Sequence, residues 1–413
     1  MTGVHPSPRS TSMDLTHYHQ LVREGRAGTV RSPRALWRLG GPDRVRYLNG
    51  QVTNDVARLA VGTAIYAAVT SAKGRMVGDI FIGAAADALY VDADISLRDS
   101  LSARLERYLI ADDAVWEDLT DSWTLTHVFG ADAPPLPEPP GPREADRAEA
   151  ASHEPLTWAD AQARDIMVAK MSDRSPDLGG TPERLPSAIV DDKAMAAARA
   201  ADEAAAAAQE WDPNGPADDL DSAGPGPVAA NLPVAIRNPR YGLAGWDLWV
   251  PPGSGPLTGS AAAAQVADEM IELIRTEHGL ARWGVDMDDS NLPPEALMPE
   301  ERAISYTKGC YVGQEIIARL KSVGQVNKRL CVLKVTASPA GAGTDDVAAL
   351  RGAALAVGDR DVGRITGAVH SPAAGGLLCL GYVNRHFGAE ATLTASTGHT
   401  LAIVSPPLTP LLI

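Results

Sequence analysis

The chain has 413 residues, 45% of them hydrophobic, which is enough for two or three domains with their own cores. Its formal net charge is −15, but residues 133–230 alone hold 19 acidic and 8 basic side chains, so the acidity belongs mainly to one segment. Three cysteines without a C-x-x-C spacing argue against a disulfide framework and against a resident zinc or iron–sulfur site. The first twenty residues are polar and no apolar run reaches membrane-spanning length, so we expect a cytoplasmic protein without direct membrane or nucleic-acid contacts.

The first globular pattern covers residues 13–132, after a lead-in at 1–12 that we expect to be disordered. A helix is predicted at 96–110, where Leu97, Leu101, Leu105 and Leu109 recur at i+4 spacing. Strands flanking a helix are typical of an α+β domain. The predicted strands are 35–39, 65–70, 76–82, 89–91 and 115–119.

Residues 133–230 differ in composition, because they are acidic, rich in Ala, Pro and Gly, and poor in aromatic residues. Such a segment cannot bury much apolar surface, so we predict a mostly disordered insertion. Its alanine-rich part, 191–209, can form a solvated helix. For the more apolar piece at 156–171, packing on the body and disorder stay equally open.

A second α+β domain is predicted at 231–327, with a strand at 246–250 and an amphipathic helix at 261–278 that carries Val266, Met270 and Ile274 on one stripe. From 328 to 413 short apolar runs alternate with Gly/Pro turns, which predicts a β-barrel.

Cys310 lies between two glycines four residues apart and is followed by a helix pattern. We predict a strand end, a tight turn that holds Cys310, and a helix start. The free N–H groups of a helix start and the nearby Lys308 ammonium favour the thiolate, which is the reactive form of cysteine. A buried, inert cysteine is the alternative, but the flanking Gly, Lys, Gln and Glu are poor core material. Cys331 and Cys379 stand in apolar runs and are expected in the core.

Residues 308–315 (KGCYVGQE) resemble the signature of the YgfZ proteins, which are folate-binding relatives of the glycine-cleavage aminomethyltransferase (GcvT). Four further pieces resemble that family in order and spacing: 48–56 (LNGQVTNDV), 73–75 (KGR), 292–295 (LPPE) and 362–367 (VGRITG) followed by Ser371-Pro372.

The resemblance implies an α+β fold with three domains in a ring around a central folate pocket, and with a C-terminal β-barrel. It implies tetrahydrofolate or a derivative as the cofactor, with no stably bound metal or cluster. It also implies a role in assembling or repairing iron–sulfur clusters, with assembly proteins or clients such as tRNA-methylthiolating radical enzymes as partners.

The resemblance also implies which residues form the site. Cys310 and Lys308 are the candidate catalytic pair. Asp247 is the first choice for the pterin ring, because 245–248 (GWDL) resembles the strand whose acid holds the pterin in the relatives, and a carboxylate can accept two hydrogen bonds from its amino-pyrimidinone edge. Each candidate also has a structural reading, as a surface charge, a turn residue or a core aromatic. The remaining folate candidates are Gln51, Asn54, Arg75, Tyr311, Gln314, Glu315 and Arg319, with Lys308 as a third cation for the glutamate tail and Trp283 as a second stacking residue.

One departure argues against one-carbon transfer. The aminomethyltransferases have two adjacent acids where this chain has Gly78 and Asp79, so one acid is missing. A tetrahydrofolate-dependent aminomethyl- or methyltransferase stays the first alternative function. A cysteine hydrolase is the second, and it needs a histidine base beside Cys310. The candidates for that base are His127, His278, His370 and His386.

Overall fold

The computed structural model describes residues 28–137, 232–297, 299–322, 324–339 and 346–406. The predicted lead-in at 1–12, most of the predicted insertion at 133–230, the possible helix at 191–209 and the apolar piece at 156–171 therefore lie outside the described residues. None of the described helices combines the length and the apolar character that crossing a membrane requires.

The strands, in chain order, are β1 (Thr29–Val30), β2 (Arg34–Gly40), β3 (Ala64–Thr70), β4 (Met76–Ala84), β5 (Leu89–Asp94), β6 (Val115–Asp118), β7 (Thr124–Phe129), β8 (Val234–Arg237), β9 (Gly245–Val250), β10 (Lys328–Ala337), β11 (Ala354–Val357), β12 (Arg360–Ser371), β13 (Gly376–Asn384), β14 (Thr392–Ala395) and β15 (Thr400–Val404).

The N-terminal strands form a five-stranded antiparallel sheet in the order β3-β4-β5-β2-β6. One face is covered by helix α2 (Arg98–Glu106), whose Leu101 and Leu105 are fully buried in the same core as Trp37 and Ile80. This is the predicted amphipathic helix, although it begins and ends a few residues inside 96–110.

A four-stranded sheet packs near the first one, in the order β1-β7-β9-β8. Strands β1 and β7 precede residue 138, whereas β8 and β9 follow residue 231, so the two parts of the chain share one sheet. Leu36 and Tyr90 of the first sheet join Ile236 and Trp249 of the second in one apolar cluster, which holds the two sheets together.

The predicted helix at 261–278 is shorter in the structure. A 3₁₀ turn occupies Gly259–Ala262, and helix α3 runs only over Asp268–Glu277. The reason is that the Val266 N–H donates to the Thr29 carbonyl at 2.7 Å, so this stretch is held extended beside β1 until Ala267. Met270 and Ile274 still face the core, as the stripe predicted.

The C-terminal strands close into a barrel in the order β10-β13-β12-β11-β14-β15, as predicted. Cys331 and Cys379 are both buried in its apolar interior, as the flanking residues indicated. Its last two strands, β14 and β15, pair with each other as a hairpin.

The segment around Cys310 differs from its prediction in one respect. A helix does follow Cys310, as α5 (Gln314–Ser322), but no strand precedes it, because 303–313 is irregular. The Ser305 N–H donates to the Thr53 carbonyl at 3.0 Å, and the Thr53 hydroxyl donates to the Ala303 carbonyl at 2.7 Å. Hydrogen bonds with Thr53, 250 positions before Ala303 in the chain, therefore take the place of pairing with a neighbouring strand.

The remaining bounds complete the description. The helices not yet given are α1 (Arg44–Asn49), α4 (Pro293–Ala296) and α6 (Asp346–Leu350).

Candidate functional site

A cavity of about 560 Å³ opens between the N-terminal sheet, helix α3 and the loop around residue 283. Pockets for small molecules and cofactors are commonly of this size. Its wall combines aromatic rings with charged side chains of both signs. The aromatic residues that line it are Tyr66, Phe81, Tyr241 and Trp283.

Two charged residues of the wall keep buried atoms without a partner. Asp79 accepts a hydrogen bond from the Tyr66 hydroxyl at 2.9 Å through Oδ2, while its buried Oδ1 has no partner among the described residues. Arg34 pairs with Asp92 at 2.7 Å through Nε, while its buried Nη2 is likewise unpaired there. Burial raises the pKa of Asp79, and the Arg34 charge and the Tyr66 hydroxyl offset only part of that rise. Among its buried side-chain atoms, the described wall thus has one acceptor and one donor without a protein partner.

Asp247 lies elsewhere, in a buried network of charges. Its carboxylate accepts hydrogen bonds from Arg240 Nη2 and Asn238 Nδ2, both at 2.6 Å, and from His127 Nδ1 at 2.8 Å. Burial alone would favour the neutral acid, but the Arg240 charge and the His127 hydrogen bond hold the pKa of Asp247 below its ordinary value. Both carboxylate oxygens of Asp247 are therefore occupied by protein donors. The residue is 2% exposed and is not part of the cavity wall.

Arg240 connects this network to the cavity. It binds both oxygens of Asp92 in β5, at 2.8 and 2.7 Å, while its other hydrogen bonds reach Asp247 in β9. Its guanidinium also lies 4.1 Å from the centre of the Phe81 ring. The arginine therefore ties the two sheets together and forms part of the cavity wall.

Lys308 pins the Cys310 turn to the 48–56 motif. Its ammonium donates to three backbone carbonyls, those of Asn49 at 2.6 Å, Val52 at 2.8 Å and Asn54 at 2.7 Å. An ammonium has three donors, so all of them are used. Burial lowers the pKa of Lys308 to about 8. The geometry gives Lys308 a holding role in this turn.

The 73–75 turn packs against the same segment through glycines. Gly313 has a φ of +85°, and a Cβ there would lie 2.5 Å from the Ser71 carbonyl oxygen. Gly74 has a φ of +70°, and its Cβ would lie 2.9 Å from Ile316. The Thr70 hydroxyl also donates to the Val312 carbonyl. The three sequence motifs at 48–56, 73–75 and 308–315 thus form one interlocked unit.

Cys310 is exposed on this unit. Its sulfur has no hydrogen-bond partner among the described residues, and Cys310 does not line the cavity. Glu315 and Arg319 are exposed on helix α5, which begins four residues after the thiol, and Gln314 is half-buried at its first position.

The other predicted folate contacts have structural partners. Gln51 accepts from Arg104 at 3.0 Å, and the Asn54 amide donates to the Tyr66 carbonyl at 2.8 Å. Tyr311 is in the core, and burial raises its pKa to about 12. Arg75 donates to the Ser290 carbonyl and lines a shallower cleft of about 500 Å³, which adjoins the cavity through the shared residue Trp283.

The structure therefore brings the motif residues together around Cys310, but it lines the cavity with others. Among the nine predicted folate-contact residues and the Cys310–Lys308 pair, only the stacking candidate Trp283 is part of the cavity wall. Asp79 was recognisable as the remaining acid of the altered pair, whereas Arg34 carried no motif. In the described part of the chain no three His, Cys, Asp or Glu side chains are placed to hold a metal ion.

Comparison with known proteins gives similarities to a domain family, to two relatives and to a solved structure. Residues 12–169 match the model of the GCVT N-terminal domain. The iron–sulfur cluster assembly factor IBA57 homologue of Mycosarcoma maydis, named as mitochondrial, is 33% identical over 126 residues, which are 30% of this chain and 28% of that protein. The equally named homologue of Phaeosphaeria nodorum is 22% identical over 325 residues, 75% of this chain and 55% of that protein.

The chain thus matches between about a quarter and about half of the length of these relatives. A solved structure extends the likeness to almost the whole chain. The glycine cleavage system aminomethyltransferase T from Bartonella henselae has a TM-score of 0.60 at 16% identity, over 95% of this chain and 89% of that one. The chain therefore has the aminomethyltransferase fold, and residues 12–169 are similar to the GCVT N-terminal domain.

Proposed function

We propose that this protein binds a reduced folate in the cavity and uses the Cys310 thiol in the assembly or repair of iron–sulfur clusters in client proteins. The observation that carries the proposal is the pair of unpaired groups in the cavity wall, Asp79 Oδ1 and Arg34 Nη2. A buried polar atom without a partner costs about 1–3 kcal/mol, and a ligand with complementary groups removes that cost.

A folate has the parts that this wall can hold. The amino-pyrimidinone edge of its pterin offers donors to Asp79 and an acceptor to Arg34, and the flat ring fits between aromatic side chains such as Phe81 and Trp283. Arg31 and Arg282 are exposed cations of the wall, suited to the anionic glutamate tail. A bound tetrahydrofolate would supply a carrier of one-carbon units.

The thiol half of the proposal is supported by the Cys310 turn. Lys308 and the interlocked glycines hold the turn in place, and yet the sulfur stays exposed. Both fungal relatives are named as iron–sulfur cluster assembly factors. Membership of the YgfZ family and tRNA-methylthiolating enzymes as clients belong to the same proposal, supported by residues 308–315. The cytoplasmic location remains a proposal as well, since both relatives are named as mitochondrial.

The transferase alternative is disfavoured by the packing around Gly78. A Cβ at this position would lie 2.8 Å from Leu97 Cδ1 and 3.2 Å from both Leu101 methyl groups. An acid at this position would therefore have to displace Leu97 and Leu101. Asp79 remains, so the alternative is retained as an outcome of the tests below.

The hydrolase alternative lacks its base in the described residues. His127 and His278 are buried, His127 in the Asp247 network, while His370 and His386 are exposed on the barrel. None of the four forms a hydrogen bond with Cys310 Sγ, so no nucleophile–base pair is formed there.

Calorimetric titration with tetrahydrofolate tests the cavity. We expect saturable binding in the micromolar range, and a loss of roughly tenfold or more in Asp79→Asn, because a hydrogen bond to a charged group is removed. Asp99→Asn makes the same chemical change at an exposed position of helix α2 and should bind like the parent. Absence of saturable heat in the parent refutes folate binding.

Complementation tests the thiol. In cells deficient in iron–sulfur cluster assembly, Cys310→Ala should keep its melting temperature and folate affinity but fail to restore cluster-dependent enzymes. Ala318→Ser, an exposed change on the neighbouring helix, should restore them. Full rescue by Cys310→Ala would refute the role of the thiol. One-carbon transfer by the purified protein, lost in Asp79→Asn but kept in Cys310→Ala, would instead favour the transferase.

A further inference from the structure

The barrel motif at 362–367 contains a β-bulge. Strand β12 pairs with β13 through Ile365 and Gly381, and next through Gly367 and Leu380, so Thr366 is the extra residue. A bulge changes the direction of a side chain relative to the regular strand. Gly363 of the same motif leaves no room for a side chain, because a Cβ there would lie 1.9 Å from the Tyr382 carbonyl oxygen.

The bulge brings the Thr366 hydroxyl to a buried carboxylate outside the barrel. The hydroxyl donates to Asp286 Oδ1, and it also lies 3.2 Å from the Leu380 carbonyl oxygen. The Asp286 side chain is fully buried. Its other oxygen accepts from Arg275 Nη1 at 2.5 Å and from the Arg282 backbone N–H at 3.0 Å.

Arg275 links Asp286 to the other charged residues of the cavity wall. From helix α3 its Nε donates to Glu272 Oε2 at 2.8 Å, and Glu272 Oε1 accepts from Arg282 Nη1 at 2.5 Å. Glu272, Arg275 and Arg282 all line the cavity. Burial would raise the pKa of Glu272, but the hydrogen bond and charge of Arg275 together with Arg282 lower it, so this carboxylate stays ionised.

We propose that Thr366 is a positioning residue that acts from the barrel, through Asp286 and Arg275, to hold Glu272 and Arg282 in the cavity wall. The inference rests on the proposed function, because it takes the folate as the ligand of that wall. It assigns a task to the 362–367 motif, which the cavity and the thiol leave unexplained. The affinity of the cavity thus depends on a hydroxyl that does not line it.

The binding test compares three variants by calorimetric titration with tetrahydrofolate. Thr366→Val removes the hydroxyl at nearly constant shape and should weaken binding roughly fivefold, because Asp286, the partner of Arg275, loses the hydrogen bond that fixes it. Thr366→Ser keeps the hydroxyl and should bind within about twofold of the parent. Ser371→Ala is the matched control, since it removes another barrel hydroxyl bound to helix α3, through Glu277 at 2.6 Å. It should bind like the parent.

A second measurement needs no ligand. In ¹⁵N-arginine-labelled protein the Arg275 Nε–H, identified by its loss in Arg275→Lys, should exchange slowly with water in the parent and in Thr366→Ser, and at least roughly tenfold faster in Thr366→Val. Should Thr366→Val not fold, Asp286→Asn weakens the same link from the other side.

The two measurements separate the two ideas. A parent that binds no tetrahydrofolate refutes the proposed function, while the exchange rates still decide whether the link exists. Unchanged exchange in Thr366→Val overturns the inference. So does altered exchange with parent-like affinity in Thr366→Val, or equal weakening in Ser371→Ala.

Discussion

Asp79 and Asp247 are both buried acids, yet their surroundings act on them in opposite directions. Asp247 has Arg240, Asn238 and His127 as partners, and its pKa lies below the ordinary value. Asp79 has one oxygen bound to Tyr66 and the other unpaired, and burial raises its pKa. A satisfied carboxylate holds structure, whereas an incompletely satisfied one in a cavity wall is available to a ligand.

The raised pKa of Asp79 predicts how stability depends on pH. An acid whose pKa is higher in the folded state destabilises the fold as pH rises from about 3.9, its usual value in an unfolded chain, through its raised value. Asp79→Asn does not titrate and escapes this loss. In urea denaturation, the free energy of unfolding of the variant minus that of the parent should therefore be larger at pH 7 than at pH 4. A difference that is the same at both pH values would contradict the prediction.

Asp247→Asn should mainly lower the free energy of unfolding. The change leaves Arg240 buried with only Asp92 as a full charge partner, and breaking a buried ion pair costs about 3 kcal/mol. Denaturant unfolding measures the loss, with Asp99→Asn at an exposed position of helix α2 as the control. A loss below about 1 kcal/mol, combined with a larger drop in folate affinity than in Asp79→Asn, would restore Asp247 as the acid that holds the pterin.

At the scale of elements, the motifs at 48–56, 73–75 and 308–315 work as one unit although they are far apart in sequence. Lysine donors, threonine hydroxyls and two glycines join them. The glycines are required for two separate reasons, the left-handed backbone and the close approach of a neighbouring chain.

Substitutions by alanine separate these two reasons. Gly62 has a φ of +82° with nothing within 4 Å of its Cβ position, so Gly62→Ala should cost only the backbone strain of about 1–2 kcal/mol. Gly313→Ala adds the collision with the Ser71 carbonyl and should cost at least about 1 kcal/mol more. Thermal and urea unfolding measure both. Equal losses would mean that the 73–75 turn moves aside freely.

The sequence predicted elements where periodicity is strong and local. The five strands of the first sheet, strand β9, helix α2 and the barrel were predicted from local apolar patterns, whereas β1 and β7 of the second sheet were not predicted. Long-range hydrogen bonds were not predictable: Thr29 holds Val266 extended, and Thr53 replaces a strand partner for Ser305. The same limit applies to the site, since the spacing of Lys308 from Cys310 does not reveal that its ammonium binds three carbonyls of another segment.

The whole molecule is joined across the undescribed segment by shared structure. Strand β7 pairs with β9 along six residue pairs, from Thr124 with Val250 to Phe129 with Gly245. The Arg240–Asp92 pair and the apolar cluster between the sheets add further contacts between the two parts.

Cleavage within residues 138–231 should therefore leave both parts associated. After cutting at an inserted specific protease site, we expect the two fragments to elute together in gel filtration and to bind tetrahydrofolate like the intact chain, because the sheet, the ion pair and the cavity wall persist. Under denaturing conditions they should separate. Fragments that part under native conditions would contradict this reading of the sheet.

The shared sheet also limits how early the protein can fold during its synthesis. On the ribosome, β7 emerges about 120 residues before β9, which at 5–20 residues per second is roughly 6–24 s. During that interval β7 has only the two-residue β1 beside it, and Asp92 has Arg34 as a partner but not yet Arg240. Nascent chains in which only residues before β9 have left the ribosome should therefore recruit chaperones, whereas chains in which β9 has also emerged can complete the sheet.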